Sequence, residues 1–417
     1  MLMKGFPPEP DSRVTLANWQ DPPFNRWSFS HLRELVPTHP VGNGDTSYTH
    51  AVAIDEGLDS LLVPRVDRDP TSLETFLDDS YTDAVVVIHD GAIKYERYFG
   101  ETRQNTPHLL MSVTKSFVGC VAGVLLDRGT MAADDLVTQY VPELMESGYR
   151  DATIRNLLDM RSGVKFSEEY TDPDAEVRIM EEAFGWRPQT DRDVPRSIYE
   201  FLTTLTKDKE HGGIFDYRSC ETLTLGWVCE RAAQRRMADL ISEIIWTPMG
   251  ARHWAEMTCD GVGTAIHDGG MCATARDLAR FGSLLLAKGH LDGVDVLPSK
   301  WLRSSWRVDA DIRDAFSRSK SGPYLPGGWY RNQFWFLPRR HGDVLLCLGI
   351  YGQMVYVNPG TKTVAAKLST WPDAQSPTLL SETISAFDNI GARLAGLTVE
   401  GEANHEGPAG VASGKGP

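Results

Sequence analysis

A serine and a lysine three residues apart, Ser112 and Lys115 in Leu109-Leu110-Met111-Ser112-Val113-Thr114-Lys115-Ser116-Phe117, stand at the head of a long apolar run. On a helix, residues i and i+3 share a face and side chains lean toward the N-terminus, which carries the Lys115 amine back toward the Ser112 hydroxyl. That arrangement suits proton abstraction, with Ser112 as nucleophile and Lys115 as its base. Burial disfavours an ammonium and the positive end of the helix dipole acts in the same sense, so the Lys115 pKa is expected to fall. The same spacing recurs at Ser162 to Lys165 and at Ser317 to Lys320. Neither of these opens a buried helix: Gly163 follows Ser162 in a turn, and Ser317 lies in a polar run ending at Gly322. The motif by itself also fits a serine that caps a core helix and a lysine that snorkels to solvent, so the neighbouring residues carry the decision.

A second hydroxyl suited to proton transfer is Tyr217 in Phe215-Asp216-Tyr217-Arg218-Ser219, a polar turn leading into a helix. Tyr330-Arg331-Asn332 is a rival by letters but precedes a strand, and either tyrosine also fits a purely structural role. Acidic residues cluster at 168–174 and at Glu181-Glu182, a pattern expected of a solvated loop, although one of them could face a cleft. The chain has no Gly-x-Ser-x-Gly elbow, His-Glu-x-x-His pair, Walker loop or dinucleotide fingerprint, which sets aside α/β-hydrolases, zincins, nucleotide hydrolases and Rossmann dehydrogenases. No metal site is expected from the histidines.

The elements that must hold these groups read as strands, then helices, then strands. Two β-rich runs around Asp90-Gly91 give the strongest hairpin signal, preceded by a helix near 72–77. Helical periodicity then dominates to about residue 300, with the nucleophile helix capped near Gly129 and further helices at 154–160, 198–202, 223–235, 240–246 and 275–287. Strands are expected at 333–337, 344–350, 354–357 and 364–369, and a last helix over 379–394. This order predicts an α+β fold in which one antiparallel sheet is built from both termini around a mainly helical insertion, with the cleft between them. The expected division is 1–100 for an N-terminal wrap over the surface and the first strands, 101–325 for the helical region, 326–396 for the remaining strands and last helix, and 397–417 for a disordered tail.

With 57 acidic and 42 basic side chains the formal charge is -15, which repels phosphate backbones and anionic lipid. Neither nucleic acid nor membrane is an expected partner. The six cysteines form no Cys-x-x-Cys pair and read as free buried thiols, and no leader-like apolar stretch opens the chain, so a cytoplasmic location is expected.

The Ser-x-x-Lys helix, the later Tyr-x-Ser turn and the strand order resemble the penicillin-recognising serine hydrolases. Within that group, Trp19-Gln20-Asp21-Pro22-Pro23-Phe24-Asn25-Arg26-Trp27, Glu169-Tyr170-Thr171-Asp172-Pro173, Gly185-Trp186-Arg187, Thr274-Ala275-Arg276-Asp277-Leu278-Ala279-Arg280 and Ser369-Thr370-Trp371-Pro372-Asp373 resemble the 6-aminohexanoate-dimer (nylon oligomer) hydrolases, over about 15–395. The resemblance implies a fold like class C β-lactamases and an acyl-enzyme mechanism without cofactor or metal. In it, Ser112 is nucleophile, Lys115 base and Tyr217 a proton-transfer partner. It further implies that Tyr170 and Trp186 line the substrate pocket, with Tyr170 near the scissile amide, and that the backbone amides of Ser112 and Ile350 form the oxyanion site. Glu181, in the same segment, would attract a substrate with a free amino group, or else is one more solvated charge.

Two departures accompany the likeness. Ser219 stands where β-lactamases carry Asn, and Cys347-Leu348-Gly349 stands where Lys-Thr-Gly would bring a cation, so β-lactam hydrolysis is not expected. The implied partner is a small linear amide or ester, with a homodimer left open. The alternatives are a carboxylesterase and a non-catalytic binding or sensor module on the same scaffold.

Overall fold

Asp90 and Gly91 both take positive φ, 47° and 82°, as a two-residue hairpin turn of the primed type requires, and join strand Thr82–His89 to Ala92–Tyr98. The computed structural model describes residues 2–45, 47–190 and 194–399, so the expected tail lies outside the described residues from residue 400 onward. The hairpin continues into strands from the other end of the chain. In spatial order the eight strands run Trp329–Arg331, Phe334–Leu337, Val344–Gly349, Gln353–Asn358, Thr363–Ser369, Thr82–His89, Ala92–Tyr98 and Ala51–Val52. All neighbours are antiparallel except the short last pair. The sheet is thus assembled from both termini, as the strand-helix-strand order predicts.

Both faces of this sheet are covered, which is why Thr82–His89 reads as an unbroken apolar run rather than an alternating one. Ala84, Val86 and Ile88 point into a large core shared with Phe117, Phe281 and Leu284. Val85 and Val87 point into a second core with Phe76, Phe387 and Ile390, beneath the C-terminal helix Pro377–Leu394. The helix that carries Lys115, Thr114–Asp127, is buried from Thr114 through Leu125. Phe117 stacks on Phe281 with ring centroids 3.9 Å apart; truncating such a residue to alanine costs about 3–5 kcal/mol. The helix ends as expected near Gly129, where Thr130 N–H reaches back to the Leu125 carbonyl at 3.0 Å.

Three expectations change. The stretch 112–300 is mostly helical, but two strands within it, Ala255–Thr258 and Met271–Ala273, join Thr38–Val41 and His108–Leu109 in a second, four-stranded sheet not expected from the sequence. Its strands are two to four residues long, too short for periodicity to reveal, and two of its three pairings join distant parts of the chain, Thr38 with Thr258 and His108 with Ala273. The expected helix at 240–246 is Met237–Ile241 followed by a π turn, Ser242–Trp246. The N-terminal segment does more than wrap the surface. Trp19 and Phe29 are buried, Trp19 Nε1 donates to the Trp186 carbonyl at 2.7 Å, and Asn25 Nδ2 donates to the Trp371 carbonyl at 3.1 Å. All six cysteines are buried free thiols. Among the described residues no helix is long and apolar enough to cross a membrane.

Candidate active site

Helix Thr114–Asp127 is entered through a single 3-10 turn, Met111–Val113, in which Met111 takes φ 48°. A left-handed conformation at a non-glycine residue costs about 1–3 kcal/mol, and here it turns Ser112 out of the core toward the cleft. Neighbouring backbone holds the turn: Leu110 N–H donates to the Met271 carbonyl at 2.8 Å and Met271 N–H to Thr114 Oγ1 at 3.1 Å. One turn on, Lys115 is 1% exposed. Its Nζ lies 2.8 Å from Ser112 Oγ, 3.0 Å from Ser219 Oγ and 2.8 Å from the Asp268 carbonyl oxygen, with the Asp268 carboxylate 3.8 Å away. The serine and lysine read from the sequence are therefore in contact.

The electrostatics of the lysine correct the sequence expectation. Burial does push the Lys115 pKa down, but Tyr217, Asp268 and Glu168 favour the ammonium and outweigh it, so the pKa is raised rather than lowered. Tyr217 packs beneath the amine, with Nζ 5.2 Å from the ring centroid, and interacts with both Ser112 and Lys115. Burial raises its phenol pKa against the opposing pull of Lys115, keeping it a proton donor. The rival Tyr330 is buried and bonded to Gln333 Oε1 at 3.3 Å, a structural position.

Glu168 belongs to the acidic cluster expected to be solvated, yet it sits behind the lysine. Its two oxygens accept from Ser219 Oγ at 2.6 Å and Ser219 N–H at 2.9 Å, and Tyr170 donates its hydroxyl to it at 2.8 Å. Burial raises the Glu168 pKa although Lys115 and these hydrogen bonds lower it. Sequence reasoning missed this carboxylate, because its partner is fifty-one residues away and no local spacing signals the contact.

Opposite the lysine, strand Val344–Gly349 ends at Ile350, and the next residue, Tyr351, is also left-handed at φ 60°. Gly349 lets strand and nucleophile turn approach: a Cβ there would lie 2.6 Å from the Leu110 carbonyl oxygen. The turn is held by the buried Gln353, whose amide donates to the carbonyls of Ile350 at 3.3 Å, Tyr351 at 3.2 Å and Ser369 at 2.7 Å. Ser112, Tyr170, Glu181, Trp186, Asp268 and Ile350 line one cleft of about 290 Å³, so the expected pocket residues do converge. Val177, Met180 and Phe184 make its apolar side.

Glu181 is neither solvated nor free. It is 3% exposed, and its Oε2 is shared by Arg178 Nη1 at 2.7 Å and Arg187 Nε at 2.9 Å, while Oε1 accepts from Gln20 Nε2 at 3.2 Å. The i,i+3 spacing of Arg178 and Glu181 on helix Glu176–Ala183 was the available signal. Among the described residues, no group of His, Cys, Asp and Glu is arranged to hold a metal ion.

Comparison with known proteins fits this geometry. Residues 73–384 match the family model described as Beta-lactamase. A 6-aminohexanoate-dimer hydrolase from Paenarthrobacter ureafaciens is 36% identical over 368 residues, which cover 88% of this chain and 91% of the relative. A solved Bacillus anthracis structure assigned to the same hydrolase activity superposes with TM-score 0.85 at 29% identity, covering 94% of this chain and 99% of that one. EstCE1, a hydrolase with promiscuous acyltransferase activity, gives TM-score 0.60 at 15% identity over 75% of this chain and 96% of its own, a likeness of fold alone.

Proposed function

The chain belongs to the β-lactamase family and is a hydrolase, and from that premise we propose that it cleaves small linear amides through an acyl-enzyme on Ser112. The observation that carries the reading is the 2.8 Å contact between Lys115 Nζ and Ser112 Oγ at the floor of a cleft with an apolar side. Ser112 Oγ attacks the acyl carbon and its proton passes to Lys115. The carbonyl oxygen takes the negative charge between the backbone amides of Ser112 and Ile350. Tyr217 delivers a proton to the departing nitrogen as the C–N bond breaks and is reprotonated from Lys115. Water then repeats the sequence at the ester carbon and releases the acid. In this division of labour the region 101–325 supplies nucleophile, amine and phenol, and 326–396 supplies the second oxyanion donor. No metal or cofactor enters, and a cytoplasmic location suits six free thiols.

The relative's substrate bears a free amino group, and Glu181 is the residue that would meet one. With Arg178 and Arg187 on one oxygen and Gln20 on the other, its charge is largely spent, so we place a neutral chain against Val177, Met180 and Phe184 ahead of an ammonium. A carboxylesterase remains the second reading, because the same acyl pocket takes esters.

The test compares the linear dimer of 6-aminohexanoate, its N-acetylated form and a short-chain nitrophenyl ester, with intact mass measured for an adduct on Ser112. Turnover of the amides with a transient adduct, both abolished in Ser112→Ala, is expected. Ester turnover without amide turnover establishes the carboxylesterase. An adduct that never releases establishes the sensor module.

A further inference from the structure

Lys115 presents a difficulty for the proton transfer. The Asp268 carbonyl can only accept, so Nζ donates to it. Ser219 has one hydroxyl proton, and its 2.6 Å contact with the Glu168 carboxylate claims it, so Ser219 Oγ must accept from Nζ as well. A resting ammonium then points its third proton at Ser112 Oγ, and an amine in that state takes no proton from the serine. One of its protons has to leave first. Two carboxylates stand near: that of Asp268 is 3.8 Å from Nζ, beyond hydrogen-bond reach, whereas Ser219 joins Nζ to Glu168 through hydrogen bonds of 3.0 Å and 2.6 Å.

We propose that Glu168 holds a proton for Lys115, received through Ser219, and so sets the amine in its basic form for each attack by Ser112. The step balances internally. An N–H bond of the ammonium breaks as that proton binds Ser219 Oγ, and the Ser219 O–H bond breaks as its proton binds Glu168 Oε1. The pair changes from ammonium and carboxylate to amine and carboxylic acid, with no net charge gained. Rotation about the Cε–Nζ bond turns the lone pair onto Ser112, whose proton it accepts as the C–O bond forms. The Glu168 proton returns along the same path when the amine next needs it. Glu168 touches no reacting atom and is a positioning residue.

The surroundings favour this exchange. Among the described residues, Glu168 meets no guanidinium that would fix it as a carboxylate. The groups facing it are Ser219 from helix Ser219–Ala233, Tyr170 from the cleft wall, and beyond Ser219 the Lys115 amine, itself flanked by Tyr217 and Asp268. Glu181 lies past Tyr170 and is held by its own arginines, with Arg178 stacked over the Tyr170 ring at 5.2 Å. Burial raises the carboxyl pKa of Glu168 against the opposing pull of Lys115 and its hydrogen bonds. A purely structural role would rest on the Ser219 N–H, which Glu168 Oε2 accepts at the start of its helix.

This inference rests on the acyl-enzyme reading, and the experiment separates the two. The pH dependence of kcat/KM is measured for wild type, Glu168→Gln and Ser219→Ala, each checked for native melting. Wild-type turnover through Ser112 is the prior requirement, and its absence removes the function rather than the relay. In wild type the acid limb reports a second proton entering the lysine–glutamate pair. In Glu168→Gln the amine must lose its proton to solvent, so the limb moves to higher pH by about one unit or more. The rate at pH 7 falls by roughly a hundredfold and recovers as pH rises. Ser219→Ala leaves Glu168 and breaks the path, and gives the same upward move. Glutamine keeps an acceptor for the helix N–H but removes the charge that favours the ammonium, so a role without proton transfer predicts a limb that moves to lower pH in Glu168→Gln and stays in Ser219→Ala. A limb that is unchanged or moves down in Glu168→Gln, or a loss equal at every pH, overturns the relay.

Discussion

Glu168 and Glu181 are the same residue type, thirteen positions apart, one behind Lys115 and one on the cleft wall, and their neighbours give them opposite chemistry. Glu168 is met by two hydroxyls and a backbone amide, with an amine one hydroxyl further on. Glu181 is met by two guanidiniums and a side-chain amide. A guanidinium stays charged and holds a carboxylate ionised, whereas hydroxyls pass protons and leave the carboxylate's state to burial and the nearby amine. Position in a cleft therefore does not assign a carboxylate its role. The protonation freedom of its partners does.

The comparison breaks most severely if the amine is removed. Lys115→Met deprives Ser112 of its proton acceptor and Glu168 of its cation, and kcat for amides is expected to fall by about 10³-fold or more while the fold persists at lower stability. Retention of near wild-type rate, read by single-turnover acylation, would assign the base elsewhere. A smaller effect sharpens the other side. Arg187→Met leaves Glu181 with Arg178 alone, and kcat/KM for the amine-bearing dimer relative to its N-acetylated form should rise by about tenfold, the range of a charge-assisted hydrogen bond. The same ratio should hardly move in Glu181→Gln, where little free charge is lost. A large drop there would mean that the ammonium competes successfully with both arginines.

The smallest expected effect lies away from the cleft, at the buried amine of Lys367. Lys367 is fully buried on strand Thr363–Ser369, bonded to Ser369 Oγ and the Ser80 carbonyl, and burial lowers its pKa to about 7. Between about 7 and the ordinary lysine value the unfolded chain binds the proton that the folded chain has lost. This contribution therefore destabilises fully below about pH 7 and is relieved as pH rises toward 10. Melting curves of Lys367→Met against wild type should show the variant gaining most at pH 6, with the gap narrowing on the alkaline side. A gap independent of pH would show that packing, not charge, sets the difference.

What the sequence disclosed was local. Ser112 and Lys115 are one helical turn apart, and Asp90-Gly91 carries its own turn chemistry, so both were readable without tertiary knowledge. The strands of the main sheet were legible because burial on both faces writes continuous apolar runs. The state of Lys115 was not, because helix dipole and burial are local terms while Tyr217, Asp268 and Glu168 arrive from three distant segments. The second sheet was hidden for a related reason, since its strands are two to four residues long and two of its three pairings are made between distant segments. Glu168 and Glu181 looked solvated because their partners lie mostly on other elements.

The bond between Asn25 and the Trp371 carbonyl spans 346 residues, and the bond between Trp19 and the Trp186 carbonyl spans 167. During synthesis Trp19 and Asn25 must wait for Trp186 and Trp371 before that side of the cleft can close. Contacts of such separation form late, after the loop-closure entropy has been met by other structure. The helices that carry Ser112 and Ser219 can gather their nearer contacts first, leaving Trp19 and Phe29 exposed in the interval. An apolar pair of that size on an unfinished chain is a site for chaperone binding or aggregation, so yield of active enzyme is set by how quickly its two ends meet.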